Sequence, residues 1–215
     1  MSKFVSGWDS KRSPGVTERL RNSFNNPGPL KPRLDAVMRQ VQTVISKLDT
    51  SMGKIRDRDA MLFAKIVSSL QKHENQRASM FANELAEVRK VGMMVTQSRL
   101  ALEQVALRLN TITELGDIVS TLAPATSIVR SVKQDMINII PDADGQMGEV
   151  SSLLSGILVE AGSMGNSTLN FETANEEAEQ AMMEAAAVAE SRMKEKFPEI
   201  PETVPSEPEG TLEAA

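Results

Sequence analysis

The stretch LDAVMRQVQTVISKLDTSMGKIRDRDAMLFAKI, residues 34–66, decides the fold of this 215-residue chain. Its large apolar side chains recur at alternating intervals of four and three residues, with one interruption at Asp59. This spacing is a heptad repeat, which places apolar groups along one seam of an α-helix, so the stretch requires a long helical partner. The seam consists of Leu34, Met38, Val41, Ile45, Leu48, Met52, Ile55, Leu62 and Ile66.

A second seam follows after a polar gap and supplies the partner. Residues 71–79 contain no large apolar side chain, which is typical of a turn. We therefore predict an antiparallel hairpin over about residues 34–112, with arms of roughly 37 residues and 55 Å. Because the gap contains neither Gly nor Pro, one uninterrupted rod remains an alternative. The second seam consists of Phe81, Leu85, Val88, Val95, Leu102 and Leu109, and Met94, Val105 and Ile112 widen it.

Shorter helices are predicted after the hairpin, one over about 125–139 between Pro124 and Pro141 and another over about 143–161. A glycine-containing break follows, and the Ala/Glu-rich segment 171–197 then has good helix propensity. Its large apolar positions are sparse, which predicts weak docking: Met182, Met183, Val188 and Met193. The fold class is all-α: a long antiparallel helical hairpin, shorter helices, and a disordered acidic Pro-containing tail.

The residue inventory argues against an enzyme. The chain has no Cys and a single His, His73, in the polar gap, where a solvated turn residue is the simplest interpretation. This excludes a thiolate metal site, a Cys nucleophile and a His-cluster metal site, and it disfavours a Ser-His-Asp triad. We therefore assign no catalytic, metal or cofactor-binding residues and no cofactor. No apolar run approaches a membrane span and no signal peptide is recognised, so the expected location is cytosolic.

Charge is distributed unevenly along the chain. Residues 1–33 carry seven Lys/Arg and two Asp/Glu, and residues 34–77 carry eight and five. Residues 142–215 carry three Lys/Arg and sixteen Asp/Glu, a net charge of −13. A basic front half indicates an anionic partner, either phospholipid or nucleic acid, and the acidic end can compete for the same surface.

The N-terminal peptide is a candidate membrane contact. Trp prefers the bilayer–water interface, and cations beside it are drawn to anionic headgroups. A mobile terminus with an isolated aromatic residue is the competing interpretation, and an ordinary solvated helix face is the competing interpretation for the basic residues of the first helix. The candidate membrane-contact residues are Phe4, Trp8, Lys3, Lys11, Arg12, Arg19, Arg21, Arg39, Lys47 and Lys54.

A proline ladder near the end of the chain, residues 197–208, is a candidate partner-binding strip. Proline fixes φ and removes a donor, so the strip is extended, with apolar side chains between the prolines. Other proteins often bind such strips, because an extended proline-rich segment loses little conformational entropy on binding. A solvated tail is the common alternative. The candidate binding residues are Phe197, Pro198, Ile200, Pro201, Val204 and Pro205.

The order of these features resembles that of ESCRT-III proteins. The amino-acid sequence is similar to that of the archaeal branch of the family, the B-type Cdv cell-division proteins. Three segments carry the resemblance: residues 58–67 (RDAMLFAKIV), 82–90 (ANELAEVRK) and 102–109 (LEQVALRL). The proline strip is similar to the family's second type of MIT-interacting motif. No winged-helix segment follows the strip, so the chain is similar to a shorter paralogue, and recruitment through the A-type partner is in doubt.

The resemblance implies a division of the chain into four parts. Residues 1–33 are a basic segment and candidate membrane anchor. Residues 34–161 are the helical core, with the hairpin over 34–112 and short helices over 113–161. Residues 162–196 are a Gly linker and an acidic helix with an autoinhibitory role, and residues 197–215 are the MIT-interacting-type motif and tail.

The same resemblance implies a non-enzymatic function. The protein would polymerise on anionic membrane with itself and its paralogues, at the cytoplasmic face of the division site. A partner AAA ATPase with an MIT domain would disassemble the filament. The residues leave two alternatives open. One is a coiled-coil protein that associates with nucleic acid, although this chain lacks the interleaved arginine and aromatic residues typical of such proteins. The other is a coiled-coil membrane scaffold that does not polymerise.

Overall fold

The computed structural model describes residues 30–115, 118–137, 139, 141–164 and 171–199. These residues form five α-helices and, within the described ranges, no strand. In chain order the helices are α1 (Leu30–Gln71), α2 (Asn75–Leu115), α3 (Ile118–Met136), α4 (Pro141–Met164) and α5 (Phe171–Lys196). The predicted all-α class is confirmed. The predicted disordered tail begins at Pro198, and its residues from 200 onwards lie outside the described residues.

The first two helices form the predicted antiparallel hairpin, and the alternative of one continuous rod is wrong. The turn contains His73, which has a positive φ of 56°. The His73 N–H donates to the Leu70 carbonyl at 2.9 Å, and the Glu74 N–H donates to the Ser69 carbonyl at 2.9 Å. This pair of bonds is a Schellman motif, which closes a helix on a left-handed residue that is usually glycine. Here a histidine takes that position and ends α1.

The hairpin buries the predicted seams in two apolar clusters. The larger one, the main core, extends from Leu34 to Met52 of α1 and takes residues from all five helices. The smaller one, the tip cluster, is centred on Leu62, Ile66 and Leu85 near the turn. The interruption at Asp59 therefore falls between the main core and the tip cluster.

The α1 seam is broader than the heptad pattern predicts. Val37 and Val44 lie outside that seam, yet both are fully buried, because α4 packs along a second face of α1. Gln40 Nε2 donates to Glu149 at 3.0 Å, and Arg33 forms an ion pair with Glu160 at the far end of α4. The first half of α1 is thus covered on two sides, by α2 and by α4.

One helix boundary was predicted incorrectly. The sequence places the start of the third helix after Pro124, but α3 begins at Ile118 and Pro124 lies inside it. Proline lacks the N–H that would bond to the carbonyl of Ser120, so this position is unfavourable in an isolated helix. Pro124 is buried together with its neighbours Leu122 and Ala125, and we attribute the continuation of the helix to this packing.

Candidate functional site

The last helix docks on the hairpin through a stripe of small residues. Five alanines of α5 are buried against α2 and α3, at successive spacings of four, three, four and four residues. Alanine has no long side chain to hold the helices apart, so the helix backbones approach closely. The stripe consists of Ala174, Ala178, Ala181, Ala185 and Ala189.

The prediction of weak docking rested on the sparse large apolar residues of α5, and these residues contribute unevenly to the interface. Met193 is buried at the end of the alanine stripe, but Met183 is 67% exposed and Val188 is 38% exposed. The sequence signal for the stripe was present, since the alanines recur with helical spacing. It was missed because alanine is also the residue of highest helix propensity, so its frequency was explained by propensity alone.

A glycine of α2 permits a close approach of neighbouring helices near the end of the stripe. A Cβ at Gly92 would lie 3.2 Å from Ile55 Cγ2 of α1 and 3.2 Å from Met193 Cε of α5. Helices α1, α2 and α5 therefore converge at Gly92, which has a hydrogen atom in place of a side chain. Gly53 of α1 is the contrast, because a Cβ there would meet no atom within 4 Å.

Polar contacts orient α5 along α2. Arg108 Nη1 donates to Glu177 at 3.0 Å, and Gln97 Nε2 donates to the Met182 carbonyl at 3.4 Å. The Arg108–Glu177 pair is half exposed, and ion pairs of this kind contribute at most about 1 kcal/mol. Apolar burial by the alanine stripe and Met193 thus provides most of the attachment. The polar contacts join α5 to α2 in an antiparallel arrangement.

Phe197 is the last buried residue of the docked segment, and it packs against the hairpin. Its side chain is 9% exposed, and its ring centroid lies 5.6 Å from the Arg89 guanidinium carbon. The same guanidinium donates from Nε to Asp59 Oδ2 at 2.6 Å and from Nη2 to Oδ1 at 3.3 Å. Asp59, Arg89 and Phe197 thus form a chain of contacts from α1 through α2 to the residue after α5. We call it the Asp59–Arg89–Phe197 contact.

The predicted partner-binding residues are only partly within the described structure. Phe197 is buried, Pro198 is exposed, and the others lie outside the described residues: Ile200, Pro201, Val204 and Pro205. Of the predicted membrane contacts, Arg39 and Lys54 are exposed on α1 and Lys47 is half-buried. The remaining membrane candidates lie outside the described residues: Lys3, Phe4, Trp8, Lys11, Arg12, Arg19 and Arg21.

Three ionisable groups on or beside α5 have a pKa shifted by their surroundings. Partial burial in the groove between α3 and α5 raises the pKa of Asp135. On the outer face of α5, a hydrogen bond from Lys194 lowers the pKa of Glu190, and the same bond raises that of Lys194. Across the described ranges, no three carboxylate or imidazole groups converge as metal ligands. Among the same residues, no helix combines the length and apolarity needed to cross a bilayer.

The chain is similar to two cell division proteins of Sulfolobus acidocaldarius. It is 40% identical over 173 residues to Cell division protein B1 of Sulfolobus acidocaldarius, which covers 80% of this chain and 81% of that protein. The chain belongs to the archaeal B-type Cdv proteins of the ESCRT-III family. Cell division protein B of the same organism is 29% identical over 188 residues, covering 86% of this chain and 72% of that protein. No family model and no solved structure matches the chain.

Membership of the B-type Cdv family confirms the resemblance inferred from residues 58–67, 82–90 and 102–109. All three segments lie on the hairpin, with 58–67 on α1 and the other two on α2. In this family member, α5 covers one side of the hairpin. The candidate functional site is therefore the interface between α5 and the hairpin, together with the buried Phe197.

Proposed function

We propose that this B-type Cdv protein is a non-enzymatic subunit of a membrane-bound filament that acts in cell division. It assembles with itself and its paralogues on anionic lipid at the cytoplasmic face of the membrane. An AAA ATPase with an MIT domain removes its subunits. The family membership supports the role in division, and the long hairpin supports the role of a rigid building block.

The hairpin suits a repeated assembly because it is long and stiff. At 1.5 Å per residue, the 42 residues of α1 extend about 60 Å. A head-to-tail contact between identical rods produces an open filament when the rotation does not close into a ring. Repetition multiplies weak lipid contacts, so exposed cations such as Arg39 and Lys54 would hold a membrane far more tightly in a filament than in a monomer.

The docked α5 supports a switch between a closed monomer and an assembling form. α5 carries seven Asp/Glu and three Lys/Arg and is acidic, whereas α1 carries four Asp/Glu and eight Lys/Arg and is basic. In the closed form α5 occupies a face of α2 that another subunit would otherwise contact. Because α5 is tethered to the core, its effective concentration is high, and lipid or a second subunit must displace it. This docked helix is the observation that carries the proposal.

The Asp59–Arg89–Phe197 contact links the same switch to the ATPase. Phe197 is the first apolar residue of the proposed MIT-binding strip, and it is buried in the closed form. A side chain cannot pack against Arg89 and insert into the groove of a partner at once. The ATPase would therefore bind opened, assembled subunits more tightly than closed monomers.

Sedimentation and negative-stain microscopy test the filament and the switch. The full chain carrying Ala181→Glu and Ala185→Glu buries two carboxylates in the stripe, which should release α5 at a cost of several kcal/mol. We expect this variant to form filaments or coated tubules on anionic liposomes at a lower concentration than the unaltered chain. Ala187→Glu, at an exposed position of α5, is the matched control and should behave as the unaltered chain.

Three other outcomes of that experiment would contradict the proposal. If the unaltered chain, the double variant and the control all stay monomeric and do not bind liposomes, the proposed membrane filament is wrong. Binding to nucleic acid then becomes the next hypothesis. If the variant binds liposomes as a monomer or dimer, the protein is a scaffold that does not polymerise. If filaments form equally from all three proteins, α5 has no inhibitory role.

Binding to the isolated MIT domain tests the proline strip. A chain that ends after Lys196 should keep its capacity to polymerise and lose its binding to the MIT domain of the ATPase. Equal binding by the truncated and full chains would show that the strip is not the docking site. Phe197→Ala in the full chain should weaken the same binding.

A further inference from the structure

We infer a binding site for phosphate groups at the junction of α1, α2 and the end of α5, formed by Arg56, Arg99, Arg192 and Lys196. These four cations surround an open cavity of about 250 Å³ that contains one carboxylate, Asp49. The ligand class is a compact polyvalent phosphate, of which inorganic diphosphate is the simplest member. The inference stands whether or not the protein polymerises.

The charge around the cavity is only partly neutralised by neighbouring side chains. Arg99 is paired, with Asp49 at 2.5 Å and with Glu103 at 2.9 Å. Within the described part of the chain, Arg56, Arg192 and Lys196 form no ion pair. Three uncompensated cations facing one cavity favour a multivalent anion, because each can form a charge-assisted hydrogen bond to a phosphate oxygen.

The position of these cations is not explained by helix geometry alone. Basic residues in the last turn of a helix stabilise the helix dipole, and this accounts for Lys196. It does not account for Arg56 or Arg99, which come from α1 and α2 and face the same cavity. The cations of α1 and α5 repel one another across this space, and Asp49, which pairs with Arg99, compensates only part of that repulsion.

The floor of the cavity suits a bound anion. Met193 and Phe197 line it, and both are buried by at least nine-tenths, as is Thr96. An apolar floor lowers the local dielectric constant, which strengthens an ion pair formed above it. The site has both apolar support and free cations, and it exists only while α5 is docked.

This geometry couples the ligand to the closed form. Arg192 and Lys196 belong to α5, whereas Arg56 and Arg99 belong to the hairpin. A ligand that bridges the two groups binds the docked arrangement and not the open one, so it stabilises docking by mass action. Occupation of the site should therefore keep α5 and Phe197 in place.

Calorimetry on the full chain with inorganic diphosphate tests the site directly. We expect binding that weakens steeply as salt is raised, since three or more charges take part. The double variant Arg192→Gln/Lys196→Gln should lose about tenfold or more in affinity, equivalent to 1.4 kcal/mol. Lys194→Gln is the matched control: it removes a cation from the same helix, but one that pairs with Glu190 outside the cavity. It should change the affinity less than twofold or so.

A second variant separates binding from folding. Arg56→Gln lies on α1, on an exposed side chain, so it should leave α5 docked while it weakens diphosphate binding. Hydrogen exchange of α5 without ligand shows whether each variant keeps the helix in place. With diphosphate, exchange in residues 185–197 should slow in the unaltered chain and in Lys194→Gln, and not in the cavity variants. Equal loss in Lys194→Gln and in the cavity variants would overturn the assignment.

Lipid vesicles identify the source of the phosphate. Under the proposed switch, anionic lipid displaces α5, so vesicles of phosphatidylcholine with phosphatidylglycerol should not protect α5 from exchange. Protection by these vesicles, and not by vesicles of phosphatidylcholine alone, would show that the site accepts a lipid headgroup and would contradict the displacement of α5 by lipid. Protection by dissolved diphosphate but not by vesicles assigns the site to a soluble phosphate compound. Protection by neither, with no heat of binding, would show that no phosphate site exists there.

Discussion

Asp59 and Arg89 form a bidentate ion pair across the hairpin, with distances of 2.6 Å and 3.3 Å between the guanidinium nitrogens and the carboxylate oxygens. Asp59 is 4% exposed and occupies the one polar position in the apolar seam of α1. A buried carboxylate is tolerated only where a partner satisfies it, so the pair specifies how α1 and α2 align. It also holds the guanidinium over the face of the Phe197 ring.

Breaking this pair should be costly, whereas replacing it should not. We expect Asp59→Leu to destabilise the hairpin by about 3 kcal/mol, because Arg89 is left without its partner in a largely buried site. The double variant Asp59→Leu/Arg89→Met should recover most of that loss, since both charges are then removed. Urea denaturation measures the free energy of unfolding for each protein.

The exposed pair Arg58–Glu84 on the same hairpin is the control for that series. Arg58→Met should cost less than about 1 kcal/mol, because exposed ion pairs are screened by water. A cost as large as that of Asp59→Leu would mean that burial does not distinguish the two pairs and that the register argument fails.

Phe197→Ala should loosen the end of α5 without unfolding the hairpin. The change removes buried aromatic surface and a cation–π contact, and we expect the opening free energy of residues 190–196 to fall by about 2 kcal/mol. Native-state hydrogen exchange measures this region by region. Phe197→Leu keeps the apolar contact and loses only the cation–π contact, so its effect should be about 1 kcal/mol or less. Loss of protection across α1 as well would place Phe197 in the global core instead.

His73→Gly should stabilise the hairpin by roughly 1 kcal/mol. The left-handed backbone at His73 is strained for a residue with a Cβ and unstrained for glycine, and this gain exceeds the extra entropy that glycine loses on folding. Thermal denaturation should show a higher Tm for His73→Gly and a lower Tm for His73→Val, whose branched side chain disfavours positive φ. An unchanged Tm in both variants would contradict the described turn.

The two glycines of the hairpin should respond differently to a side chain. Gly53→Ala adds helix propensity in open space and should stabilise by about 1 kcal/mol. Gly92→Ala has the same intrinsic gain, but Ile55 and Met193 must move by a few tenths of an ångström, so we expect a smaller gain. Gly92→Leu should displace the end of α5, which hydrogen exchange detects, and Gly53→Leu should not. Displacement by both would show that the close approach at Gly92 is irrelevant.

Much of the site was outside the reach of the sequence pattern. The proline strip and the basic residues were recognisable because their chemistry is local, yet no pattern paired Asp59 with Arg89, which lies 30 residues away on the other helix. The cavity of Arg56, Arg99, Arg192 and Lys196 combines three helices, and none of these residues is unusual in its own segment. Convergence of distant groups leaves no periodic signal.

The sequence by itself determined the two long helices, their apolar seams and the polar gap between them, because heptad spacing and the absence of apolar side chains act within one segment. Only the tertiary structure decided three other features: the continuation of α3 through Pro124, the burial of Val37 and Val44 under α4, and the docking of α5 through its alanines. Each depends on the shape of a neighbouring helix. Local propensity is worth at most about 1 kcal/mol per residue for ordinary side chains, and burial against a neighbour can outweigh it.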